Sequence, residues 1–397
     1  MEGEKRLDQL QKAVIDAINR MLYEICMRNR INRENVYEIT VAGNTAMHHL
    51  FLGICPKYVA WSPYCPALGS ENIKASDIGI NANNANVYLF PVIGGFVGGD
   101  CVSAILSTGI AESEKICMLF DIGTNTEIVL GNEESLVCCS CASGPAFEGF
   151  RIKHGMRASS GAIERVKIDP ETFEVEYKTI DNEKPIGLCG SALVDLLAEM
   201  LKAGIMDISG NLNPELDTPK ICKKSGGLAF VVSPKEKNRI FADIVITQQD
   251  IRELQLAKAA IHTGAEILMQ RMKIREKDIE MLYIAGAFGS FIDPVNARTI
   301  GMYPEVDLEK VKLVGNAAGS GAKMALISKE EREKAEYIAK NARYIELATQ
   351  PEFTNEYMKS NYFPYADPRR YPEVTKMLKD RGIPVVLDGV QRRLMER

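Results

Sequence analysis

At 397 residues the chain exceeds one ordinary hydrophobic core, so two or three domains are expected. A hydrophobic fraction of 46% with 25% charged residues excludes a disordered or fibrous protein. The net charge of −5 and the lack of a basic stripe argue against nucleic acid as the main partner. No apolar run reaches the roughly 18–20 residues of a membrane span, so no membrane is expected as a partner.

The chain opens with MEGEKRLDQL, charged and helical in pattern, which does not resemble a secretory leader; a cytoplasmic location is expected. Leu7, Leu10, Val14, Ile18, Met21, Leu22 and Ile25 recur at spacings of three and four, which predicts a helix with one apolar stripe. A strand over 36–41 runs into Gly43 and Asn44, and a short helix over 45–52 follows. Residues 54–86, with Pro56, Pro63, Pro66 and the run NANNAN, read as surface loop. A strand over 87–90, the glycine-rich GGFVGGD and a helix over about 100–108 complete this part.

A second unit is expected from about residue 115. Strands over 116–120, 126–130 and 136–141 form a meander whose first turn is DIGTN at 121–125. Residues 163–183 alternate as strands do, a helix over 190–203 stops at Gly204, and Thr247 with Asp250 has capping-box spacing before a helix of about 25 residues. Two further strand–glycine–helix units follow, LYIAGAFGSFIDPVNA and VKLVGNAAGSGAKMAL, and Ser328 with Glu331 opens a charged helix. Such units recur in both halves, which points to two similar lobes. The ten cysteines are scattered; Cys138, Cys139 and Cys141 cluster but lack a second pair at metal-ligand spacing, so core packing of reduced thiols is expected.

Three turns carry chemistry. In DIGTN an apolar strand delivers Asp121 to a turn where Gly123 lets backbone approach a phosphate, and Thr124 and Asn125 add hydroxyl, amide and backbone donors. Asp121 would face the accompanying Mg²⁺, which favours carboxylate and water oxygens. The plain alternative is a common Asp-Gly turn with an exposed carboxylate. IAGAFGS at 284–290 brings Gly286, Ala287 and Gly289 to a strand end where a nucleoside could lie close, and Gly315 opens a helix of small residues suited to tight inter-lobe packing. Each is weak alone. His48 and His49, on a short helix, are read as packing or surface residues before any ligand role.

The order GGFVGGD, DIGTN, AGAFG, GNAAGSG resembles the actin, sugar kinase and Hsp70 ATPase superfamily. The resemblance is closer still to the ATPase domain of the reductive activators of corrinoid enzymes. It is carried by VAGNTAMHHLFLG at 41–53, FPVIGGFVGGD at 90–100, DIGTNTEIVLG at 121–131, ASGPAFEG at 142–149, GLCGSALVDLLAEMLKAGI at 187–205, AGAFGSFIDPVNARTIGMYP at 285–304 and VGNAAGSGAKMAL at 314–326. It implies an α/β, two-lobed actin/sugar kinase/Hsp70-like (ribonuclease H-like) fold with a cleft between lobes. ATP and Mg²⁺ are the implied cofactors: Asp121, Gly123, Thr124 and Asn125 would hold phosphates and metal, and Gly286, Ala287, Gly289 and Gly315 would line the nucleotide. Asp100 would orient an attacking water, or simply cap a helix. The implied function is ATP-driven reduction of a corrinoid methyl-transfer protein from Co(II) to Co(I), with that protein as partner; a homodimer is compatible with this reading.

The sequence departs from the family pattern at two places. It has no cysteine run of iron–sulfur type, so no iron–sulfur cluster is expected within it and a separate iron–sulfur donor is implied. It also shows no DxGTT hairpin ahead of the opening helix, so the first lobe is expected to be truncated at its N-terminus. The expected division is 1–114 for this incomplete lobe, 115–327 for the second lobe, 328–363 for a returning helix and strand, and 364–397 for an appended tail. A non-hydrolysing nucleotide-binding or docking module and a small-molecule kinase of the same superfamily remain alternative functions.

Overall fold

The computed structural model describes residues 2–224 and 227–385. The chain divides into two compact units: Met1–Asp121, Val129–Cys139 and Asn316–Ile345 form the first, and Ile122–Ile128, Ser140–Gly315 and Glu346–Arg397 the second.

In the first unit, the helix Glu2–Asn29 lays Val14, Ile15, Ile18 and Leu22 on a core that includes Phe51, Ile80, Val87 and Leu89. The expected stripe is wider than the face the core covers, and Leu10, Met21 and Ile25 stay exposed. Strand Glu38–Val41 pairs in parallel with Asn86–Leu89, which pairs antiparallel with Glu71–Lys74. That last strand lies in the stretch expected as loop. It has only four residues, alternating half-buried and exposed, too short and polar to show a strand period.

Helices Gly99–Thr108 and Ala317–Ile327 touch backbone to backbone in this unit. A Cβ on Gly321 would come within 2.0 Å of the Ser103 carbonyl oxygen. The hydroxyls of Ser103 and Ser107 donate to the carbonyls of Ala318 and Ala317 at 2.6 and 2.8 Å. The tight contact expected of the small-residue helix is therefore made inside the first unit, although chain order alone grouped this helix with the second lobe. Ser328 caps the next helix, Lys329–Asn341, and Arg332 on it meets Glu38 at 2.8 Å.

The second unit holds two three-stranded sheets. One joins Ala162–Ile168, Val175–Thr179 and Gly187–Leu188; the other joins Ile221–Lys224, Gly227–Ser233 and Ile244–Thr247. A parallel pair, Met281–Ala285 with Val311–Gly315, carries the glycine turns at its ends. The buried helix Gly190–Lys202 and the helix Gln248–Met272 form the core, the latter opened by a full Thr247/Asp250 capping box. Lys258, fully buried on that helix, gives its three protons to the carbonyls of Ser360, Tyr362 and Pro364, which is how a buried ammonium is tolerated. Residues 364–385 are not merely appended: Tyr365, Tyr371, Val374 and Leu378 are buried, and Tyr371 donates to the Tyr303 carbonyl at 2.7 Å. Residues 386–397 of the expected tail lie outside the described residues. Among the described residues, no helix is long and apolar enough to cross a membrane.

Candidate functional site

The first unit contributes two carboxylates. The GGD segment packs directly on the VAGN turn. The Asp100 amide donates to the Gly43 carbonyl at 3.2 Å, and a Cβ on Gly98 or Gly99 would fall 2.5 Å from Asn44 Cα or 2.6 Å from His48 Cε1. Only glycine permits this approach. Gly98, not Asp100, occupies the cap position of the helix Gly99–Thr108, and it makes no side-chain cap bond. Asp100 therefore stands in the first turn, with Oδ1 accepting from the Cys101 amide at 2.9 Å. The alternative of a simple helix cap is corrected accordingly.

Asp121 is the one half-buried position among buried residues in the strand Cys117–Ile122. It is half-buried, not the exposed turn carboxylate that an Asp-Gly hairpin suggests. Burial pushes its pKa up to about 6, and the neighbouring Asp100 adds to the rise. Burial likewise raises Asp100. A desolvated carboxylate raised further by a like charge beside it is stabilised in its ionised form by a nearby cation. His48 and His49 are packing residues: His48 Nε2 accepts from the Gly43 amide at 3.0 Å, and His49 Nε2 accepts from Ala67 at 3.1 Å.

The second unit contributes the tip of the DIGTN turn and the glycine turns. Residues 143–149, ASGPAFEG without its first residue, knit the tip in place. The Gly144 amide donates to the Thr124 carbonyl at 2.9 Å, and Ser143 Oγ lies 3.3 Å from the carbonyls of Gly123 and Thr124 and 3.0 Å from Thr126 Oγ1. Thr124 Oγ1 donates to Glu148 Oε1 at 2.9 Å, while Glu148 Oε2 is buried without a hydrogen-bond partner. Leaving such an oxygen unfilled costs about 1–3 kcal/mol. A cation or its bound water would satisfy it, so the residues present fit a hydrated Mg²⁺. Gly123 leaves the turn open, and Asn125 is exposed.

The same loop reaches the second glycine motif. Phe147 stacks on Phe288 with centroids 5.5 Å apart, and a Cβ on Gly190 would strike the Phe147 carbonyl at 2.1 Å and the Phe288 ring at 2.6 Å. Gly286, at φ +95°, donates its amide to the carbonyl of Gly315, at φ +67°, over 3.0 Å. Both backbones sit where a side chain is strained. Ser290 Oγ donates to the Gly286 carbonyl at 3.0 Å, and Gly289 is buried against Ile284. Ala287 is exposed. The structure thus links residues 123–126 through 143–148 to Phe288, and joins Gly286 to Gly315. Glu148, Ser143 and Phe147 had no role assigned from sequence; their only signal was the ASGPAFEG string. Among the described residues, no group of three His, Cys, Asp or Glu side chains gathers as a metal cluster.

Glycine turns at strand ends, with paired carboxylates at the mouth of one of them, define an ASKHA-type α/β protein, and residues 115–375 match the family model described as the C-terminal domain of RACo, the ASKHA domain. Residues 1–113 match the RACo middle region, and the chain belongs to the RACo family. It is 35% identical over 371 residues to a protein of Eubacterium limosum described as corrinoid activation enzyme RamQ, covering 91% of this chain and 62% of that one. It is 25% identical over 418 residues to the [Co(II) methylated amine-specific corrinoid protein] reductase of Methanosarcina barkeri, covering 96% of this chain and 73% of that one. A solved structure, a reductive activator for corrinoid,iron-sulfur protein, is similar at a TM-score of 0.84 and 39% identity, covering 92% of this chain and 59% of that one. The chain spans about 60% of the length of the first and third of these proteins.

Proposed function

We propose that this chain binds ATP with Mg²⁺ and hydrolyses ATP to support reduction of a corrinoid methyl-transfer protein from Co(II) to Co(I). The observation that carries the reading is the Asp121–Asp100 carboxylate pair, both raised by burial and Asp121 further by the charge of Asp100, on a turn whose glycine leaves room for phosphate. Bound MgATP would supply the cation for these carboxylates and the free energy for the uphill reduction. The backbone amides of Gly123, Thr124 and Asn125, with the Asn125 side-chain amide, would hold the phosphate end. Gly286, Ala287, Gly289 and Gly315 would line the nucleoside, where the absent side chains of the three glycines permit close approach. Asp121 would bind a cation-coordinated water, and Asp100 would orient the water that attacks the terminal phosphate. The partners in this reading are the corrinoid protein and a separate iron–sulfur protein that gives the electron; a homodimer in the cytoplasm is compatible with it. The names of the similar proteins support the choice of corrinoid over other substrates.

The test mixes the purified chain with a Co(II) corrinoid protein and a low-potential reductant, and follows the Co(II) electron spin resonance signal with and without ATP. ATP-dependent loss of that signal together with phosphate release is expected. Equal loss in both samples, or no phosphate release, contradicts the proposal.

A further inference from the structure

The Thr124 hydroxyl has one proton, and that proton is committed to Glu148 Oε1 at 2.9 Å. What the hydroxyl still offers is lone pairs. Glu148 offers the same, since an ionised carboxylate only accepts and its Oε2 is buried without a partner. The Thr124–Glu148 pair therefore presents acceptors alone. A phosphate oxygen, itself an acceptor, is repelled by such a pair; a cation or the protons of cation-bound water are attracted. The pair is held in this state from the backbone, because the Gly144 amide fixes the Thr124 carbonyl at 2.9 Å and the Glu148 amide donates to Pro145 at 3.2 Å.

We propose that Glu148 and the Thr124 hydroxyl form an acceptor pair that takes the water shell of the divalent cation accompanying the nucleotide. This rests on the ATP reading above and sharpens it: the Thr124 backbone faces phosphate, while its side chain, turned by Glu148, serves the metal. Mg²⁺ keeps several of its waters when bound to proteins, so a site built from acceptors for those waters suits it better than direct ligation. Glu148 acts here as a positioning residue for Thr124 and as an acceptor in its own right.

The test is Glu148→Gln, whose amide oxygen still accepts from Thr124 while its NH₂ places a donor where Oε2 stood. ATP binding is measured by calorimetry across a Mg²⁺ titration and again in EDTA. The Mg²⁺ concentration for half-maximal tight binding should rise about tenfold or more, with affinity in EDTA changed less than about twofold. Thr124→Val, a second variant at the other half of the pair, should shift the Mg²⁺ requirement in the same direction, and Thr124→Ser should restore it. An unchanged Mg²⁺ requirement in Glu148→Gln overturns the proposal, as does a loss of affinity of equal size with and without the metal. No binding of ATP by the unaltered chain in either buffer overturns instead the reading on which it rests.

Discussion

Two carboxylates raised by burial are treated in opposite ways. Glu266, on the long helix of the second unit, is gripped by the Arg370 guanidinium at 2.7 and 2.9 Å, and Arg370 also bonds Glu276. Burial pushes Glu266 up and Arg370 pulls it back. Asp121 in the first unit is also pushed up by burial, but the charge acting on it is Asp100, which pushes the same way. The first arrangement is complete within the protein and holds structure together. The second would be stabilised by a cation from outside, which is how a binding site would differ from a structural ion pair.

Mutations separate the two. The largest effect on stability is expected from Glu266→Ala, which removes one of the two carboxylates that hold the half-buried Arg370 and should cost about 1–3 kcal/mol in denaturant unfolding. Asp121→Asn should do the reverse. MgATP affinity in calorimetry should fall about a hundredfold, while the melting temperature at neutral pH should rise by roughly 2–5 °C, because a desolvated charge beside Asp100 is removed. A fall in melting temperature for Asp121→Asn would erase the contrast. Gly286→Ala should weaken ATP by about tenfold with and without Mg²⁺, since it strains a φ of +95° and crowds the nucleoside side only. A metal-dependent effect there would move Gly286 to the other end of the nucleotide.

The smallest expected effect is one of pH. Burial, then His49, lowers the His48 pKa to about 4. A histidine kept neutral by folding contributes stability that is present above its ordinary value near 6.5 and is lost as pH falls toward 4. Stability measured by urea unfolding should therefore drop between pH 6.5 and 4, and His48→Gln should flatten that slope. An unchanged slope would show that His48 is not the group responsible.

Much of this was legible locally. The Thr247/Asp250 spacing announced a capping box because capping is a contact over three residues. The glycines at 98, 286 and 315 marked places where backbone geometry admits nothing larger, and their partners are Asn44 for the first and each other for the last two. What the sequence does not display is distance through space. Gly321 reads as one more small residue until Ser103, more than two hundred positions away, is found against it. Asp121 reads as an exposed turn residue because its burial depends on chain around it, and the contribution of Asp100 comes from the helix Gly99–Thr108 and not from its own strand. Glu148 was inside a recognised string, yet nothing in that string says which of its oxygens is left without a partner.

The most direct test is a crystal structure of the chain with Mn²⁺ and a non-hydrolysable ATP analogue, with the metal located by anomalous scattering. The account predicts triphosphate density along residues 121–125, a manganese peak beside them, and the nucleoside against Gly286 and Gly289. A nucleotide bound elsewhere, with residues 121–125 and 286–289 bare, would contradict it.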